Sequence, residues 1–200
     1  MYFLPITIIF LILFSYILSI GGEALIKHKV FYESDLAYYE IANVLKNYIS
    51  KNTVIVCIGT DKCIGDCLGP LVGTYLIDNQ FKLPVYGTIE APIHALNIEH
   101  RLSQIKKLHP NANIIGIDAC LGDAKSIGEI HVRNYPIHPG KGVGKRLPDV
   151  GSTSIIGIVD SSDNAEFFTS RSIRLHLIMS MAKVIARGIC KGYYLSNIDN

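Results

Sequence analysis

The stretch Thr53–Gly73, TVIVCIGTDKCIGDCLGPLVG, joins three kinds of sequence end to end. TVIVCIG is an unbroken apolar run of strand length, the pattern of a strand buried on both faces of an α/β sheet. From about Asp66 to Ile77, the residues Leu68, Leu71, Val72, Tyr75 and Leu76 recur at helical spacing. The loop between them carries Asp61 and Asp66, which a buried strand has no use for. A strand, a short loop and a helix in this order predict an α/β unit, and the loop falls at the strand's carboxyl end, where open α/β sheets bind ligands.

The same alternation continues outward in both directions. Upstream, Ser34 is placed to cap a helix whose apolar face is Ala37, Ile41, Val44, Leu45 and Tyr48. Downstream, LPVYGTI reads as a short strand, and His94–Leu108 as a helix stopped before Pro110. NIIGIDA is a further buried strand, and IGEIHVRNY alternates like a half-exposed one. Pro136–Gly151 is loop, TSIIGIVD is a fifth strand, and a last helix is expected from about Glu166 to Cys190, with Phe167, Ile173, Leu177, Ile178, Met181 and Val184 toward the core. The expected fold class is α/β: a mostly parallel twisted sheet wrapped in helices, forming one domain over residues 30–195. At 200 residues the chain can bury a full core without a stabilising metal or disulfides.

Residues 1–22 stand apart. Met1–Ile20 carries no charged side chain, and twenty residues of helix span about 30 Å, the hydrocarbon thickness of a bilayer. Three readings are open: a membrane anchor, a signal peptide with Ser19 and Gly21 near a cleavage point, or an apolar extension packed on the domain. The missing basic n-region weighs against the signal peptide. Lys27 and Lys29 are the first cations after the run and would keep the domain cytosolic under the positive-inside rule. A polar linker is expected after Gly22. The net charge of +2 gives no long-range case for nucleic acid. Five cysteines, not spaced as a disulfide framework, suit a reducing compartment.

The chemistry of the loops admits several readings. Cys63 and Cys67 have a zinc-knuckle spacing, but no second pair exists. Asp66, Glu90 and His94 are a donor set that suits several divalent ions. HPGKGVGKR fails the P-loop pattern, because Pro139 stands where the first glycine belongs and Arg146 where the hydroxyl belongs. It remains a cationic glycine-rich loop able to hold an anion or a peptide backbone. No G-x-S-x-G elbow occurs. Two acids remain, Asp66 at a helix start and Asp118 at the end of NIIGID. The helix dipole favours the ionised form of Asp66, whereas desolvation favours the protonated form of Asp118. Such a split gives the general base and general acid that hydrolysis needs.

The segments GTDKCIGDCLGPLVG, GTIEAPIHA, IDACLG, IHPGKGVGKRLPDVG and SIIGIVD, between Thr53 and Asp160, closely resemble the YyaC-like sporulation proteins of endospore-forming Firmicutes. They also resemble the spore germination protease and, more remotely, the endopeptidases that mature nickel–iron hydrogenases. The resemblance implies a three-layer α/β/α sandwich. It further implies an aspartic-type peptidase, with Asp66 and Asp118 matching the catalytic acids. The later histidine of the hydrogenase-maturing enzymes is not evident where VGSTS stands, so no metal and no cofactor are expected. On this reading His138, Gly140, Lys141, Gly142 and Gly144 hold the substrate backbone, while Asp61, Glu90 and His94 tune the pair or contact an ion. The substrate would be a protein or peptide, small spore proteins among the candidates, met in the cytoplasm or spore compartment, with membrane attachment through residues 1–20 as one option. The alternative function is a non-catalytic spore protein that binds a peptide or partner in the same cleft.

Overall fold

The computed structural model describes residues 27–139, 147–162 and 173–196. Residues 1–26, on which the anchor, signal and extension readings fall, lie outside them. So do Gly140, Lys141, Gly142 and Gly144, and Phe167. No helix among the described residues is long and apolar enough to cross a membrane.

Six strands form one sheet: β1 (Lys27–Phe31), β2 (Thr53–Cys57), β3 (Val85–Tyr86), β4 (Asn113–Gly122), β5 (Glu129–Arg133) and β6 (Thr153–Ser161), in the order β1-β5-β6-β4-β2-β3. The β2–β3, β2–β4 and β4–β6 pairings are parallel, and β5 runs antiparallel to both β1 and β6. The described helices are α1 (Ala37–Leu45), α2 (Leu68–Asp78), α3 (Ile98–Leu108) and α4 (Leu175–Leu195). The mixed α/β class expected from the sequence holds.

Alternating side chains divide the core between the two faces of the sheet. Ile55, Cys57, Ile115, Ile117, Ile130, Val132, Ile155 and Val159 face one side, where they meet apolar residues of α1, α2 and α4. Val54, Val56, Ile114, Ile156 and Ile158 face the other, where Ile98, Leu102 and Ile105 of α3 cover them together with Ile137 and Val150. Thus α2, which follows β2, and α3, which precedes β4, lie on opposite faces. The chain reverses its winding between β2 and β4, and a crevice opens at their carboxyl ends, as it does wherever strand order switches.

Several boundaries differ from the sequence reading. The expected polar linker contains β1, an edge strand whose Val30 packs into the core. Because β1 covers its outer edge, β5 is not half-exposed: Ile130, His131 and Val132 are all buried. Ser34 does not cap α1 through its side chain; its backbone carbonyl accepts the Ala37 N–H. Helix α3 begins at Ile98, and His94 lies in the turn before it, where the Asn97 side chain accepts the His94 N–H at 2.9 Å.

Candidate active site

The crevice is a cleft of about 610 Å³ on the α3 side of the sheet. Asp66, His94, Asp118 and His138 line it together with Thr60, Cys63, Cys120 and Arg133. Its apolar walls include Ile58, Ile98, Ile137, Leu147 and Ile156. The sequence-predicted pair therefore shares one opening.

Asp66 comes from the turn that follows β2. Residues Gly65–Cys67 form a single 3₁₀ turn that runs directly into α2. Gly59 reverses the chain just after the strand with φ +137°, and a side chain there would strike the backbone of Asp66. The Thr60 N–H donates to the Asp66 carbonyl at 3.1 Å, and the Gly59 N–H donates to Ile93 at 2.8 Å. The loop is thus tied at both ends, and the aspartate is held against the strand tip. Burial pushes its carboxyl up from the usual aspartate range to about 6, with a backbone hydrogen bond at Thr60 working in the opposite direction. The sequence expectation that Asp66 is shifted toward its ionised form is corrected: burial raises its proton affinity instead.

Asp118 is not at the end of its strand as predicted, for β4 runs on to Gly122. The neighbouring strand is the one that ends. Cys57, the last residue of β2, pairs with Ile117, and the Ile58 N–H donates to the Ile117 carbonyl at 2.7 Å, so Asp118 lies beside the first residue after β2, while its other side pairs with Ile156 of β6. The Ala119 N–H donates to Asp118 Oδ1 at 2.8 Å. Burial first, and then the negative charge of Asp66, push the Asp118 carboxyl well above the ordinary range; the Ala119 hydrogen bond and Arg133 pull it partly back. The two acids are therefore unequal in the predicted order. Asp66 is the acid raised to about 6, and Asp118 is the one that burial and the neighbouring carboxylate together push well above the ordinary range.

His94 contributes a half-buried ring whose Nδ1 accepts the Leu96 N–H at 3.3 Å. The proton of the neutral ring therefore sits on Nε2. His138, at the rim, has Nδ1 2.6 Å from Asp149 Oδ1. Asp61 and Glu90 do not join the cleft lining: both are exposed. Asp61 accepts a hydrogen bond from Thr60 Oγ1 at 3.4 Å instead. The Asp66–Glu90–His94 metal set is accordingly not assembled, and no group of three or more metal-ligating side chains occurs among the described residues. Of the cysteines, Cys63 and Cys120 line the cleft and Cys57 is buried in the core.

Arg133 is the cleft residue that sequence reading missed. Its signal was the period-2 pattern of IGEIHVRNY, which places Arg133 on the face opposite Ile130 and Val132 and hence on the side of Asp118.

Residues 29–188 match the protein family described as "Protein of unknown function (DUF1256)". The chain is also 45% identical over 150 residues to "Uncharacterized protein YyaC" of Bacillus subtilis (strain 168), an alignment covering 74% of this chain and 73% of that protein. The matched span runs from β1 into α4 and contains both cleft aspartates, and the resemblance to YyaC-like proteins read from the loop motifs extends over it. The chain belongs to the DUF1256 family.

Proposed function

We propose that the cleft is the active site of a sporulation-associated aspartic-type endopeptidase of the germination-protease kind. One observation carries this reading: two aspartates of unequal proton affinity share one apolar-walled cleft at the strand-order switch. Unequal carboxyls are what a water-activating base and a carbonyl-polarising acid require.

In the proposed reaction an extended peptide lies across the cleft. Asp66 takes a proton from a water molecule as the water oxygen attacks the scissile carbonyl carbon. Asp118 donates from Oδ2 to the carbonyl oxygen, its Oδ1 being occupied by the Ala119 N–H. The tetrahedral intermediate then collapses. The C–N bond breaks, the proton on Asp66 passes to the leaving nitrogen, and the gem-diol returns a proton to Asp118. A carboxylic acid and an amine leave, and both aspartates are restored. The Nε2–H of His94 is a third donor facing the same space. Gly140, Lys141, Gly142 and Gly144, outside the described residues, would hold the substrate backbone in this reading. Residues 1–20, if retained, would hold this chemistry at a membrane, which fractionation of sporulating cells would test.

The purified protein, incubated with a peptide library and with small basic spore proteins, is expected to yield defined fragments by mass spectrometry. Asp66→Asn and Asp118→Asn should each abolish them. Binding without fragments, unchanged in both variants, would instead identify a peptide-binding protein that uses the same cleft.

A further inference from the structure

Arg133 lines the cleft, yet nothing in the proposed reaction uses it. Its stem is fixed by three contacts. Arg133 pairs in register with Ser154 of β6, and its Nε–H donates to Ser154 Oγ at 3.1 Å. Ser154 is fully buried, and its hydroxyl donates in turn to the Tyr135 carbonyl at 2.8 Å. The guanidinium lies over the Tyr135 ring, 4.6 Å from its centroid. The position of the group is thereby set.

What the stem leaves over is the fork. A guanidinium offers five N–H donors, and Nε accounts for one. Among the described residues no carboxylate forms an ion pair with Arg133, and Ser154 is its polar hydrogen-bond partner. The terminal Nη donors therefore stand in a cleft with apolar walls. A guanidinium clamped at its stem with a free fork matches a planar anion with two oxygens, and the match is stronger where water is partly excluded. Among the described residues Arg133 is the one lysine or arginine that lines the cleft.

We infer that Arg133 is an anion subsite of this cleft and takes a carboxylate of the bound peptide. The inference rests on the reading of the cleft as a peptide site. The carboxylate has two sources, an Asp or Glu side chain within the peptide or a free C-terminus. Its arrival would also neutralise the one positive charge that pulls the Asp118 proton away.

The test uses fluorescence anisotropy on the full chain carrying Asp66→Asn, so that no probe is cleaved. Labelled apolar peptides are supplied as matched twins: internal Glu against internal Gln, and free C-terminus against C-terminal amide. The expected result is that the acidic member of one twin pair binds about tenfold tighter or more, the range of a charge-assisted hydrogen bond; the pair that discriminates names the source. Adding Arg133→Gln should erase the preference while leaving the neutral twin's affinity unchanged, and Arg133→Lys should restore it only in part. Ser154→Ala, which frees the stem without removing the charge, should reduce it. No preference for the acidic twin, including no binding of either, overturns the subsite, as does a preference that survives Arg133→Gln. The twin comparison needs no Arg133 variant to fold. Cleavage of peptides by the unmodified protein is measured in parallel. Fragments without an acidic preference sink the subsite and leave the peptidase, whereas an acidic preference without fragments does the reverse.

Discussion

Asp66 and Asp118 reach one cleft from neighbouring strands, Asp66 from the turn after β2 and Asp118 from the first position of β4 beyond the end of β2. The pairing of Cys57 with Ile117 sets this relationship. Both carboxyls line the same cleft, and the negative charge of Asp66 raises the proton affinity of Asp118 across it.

Stability should fall as pH rises through the Asp66 transition. The folded-state value of about 6 lies above the ordinary 3.8, so the native state binds this proton more tightly than the unfolded chain does. The contribution is complete below about pH 4 and is lost as pH passes through about 6. The difference of roughly two pK units corresponds to about 3 kcal/mol. Thermal melts between pH 4 and 8 should show the decline, and Asp66→Asn should flatten that part of it. The raised proton affinity of Asp118 acts in the same direction.

Hydrolysis should have a bell-shaped pH profile. The acidic limb follows deprotonation of Asp66 at about 6, because the base works only as a carboxylate. The alkaline limb follows loss of the Asp118 proton. Initial rates over a pH series check both limbs. An activity that grows steadily toward low pH would mean that the roles of the two acids are misassigned.

Gly59→Ala should destabilise the protein by several kcal/mol, about 3 or more, because φ +137° is strained for any L side chain and the new methyl would strike the Asp66 backbone. Urea denaturation measures the loss. Leu68→Ala, at a fully buried position two residues after Asp66, should cost about 2–5 kcal/mol by opening a cavity beneath the same turn.

Much of this arrangement was legible in the sequence, and the exceptions share a cause. The strands TVIVC and NIIGID announce themselves by continuous apolar runs because both of their faces are covered. The cleft aspartates follow from the rule that ligands gather at the carboxyl ends of such strands. β1 was hidden because KHKVF is an edge strand in which charged residues flank a single core residue, Val30, so its composition is that of a linker. Asp61 and Glu90 lie in loops at the carboxyl ends of β2 and β3, but that rule says nothing about which way a loop side chain turns. Arg133 was overlooked because its partners, Ser154 and the Asp118 cleft, are brought to it by pairing across β6. The direction of the Asp66 shift differs from the sequence expectation because a helix-start argument counts the dipole and cannot count the protein packed around the carboxyl.

The central claim is that these two carboxyls act as a coupled, unequal pair, and carbon-13 NMR titration of the aspartate side chains tests it most directly. The account predicts one step at about pH 6 from Asp66, a distinct higher step from Asp118, and a downward move of the higher step in Asp66→Asn. Two carboxyls titrating together near pH 4, or an Asp118 step indifferent to the loss of Asp66, would contradict it.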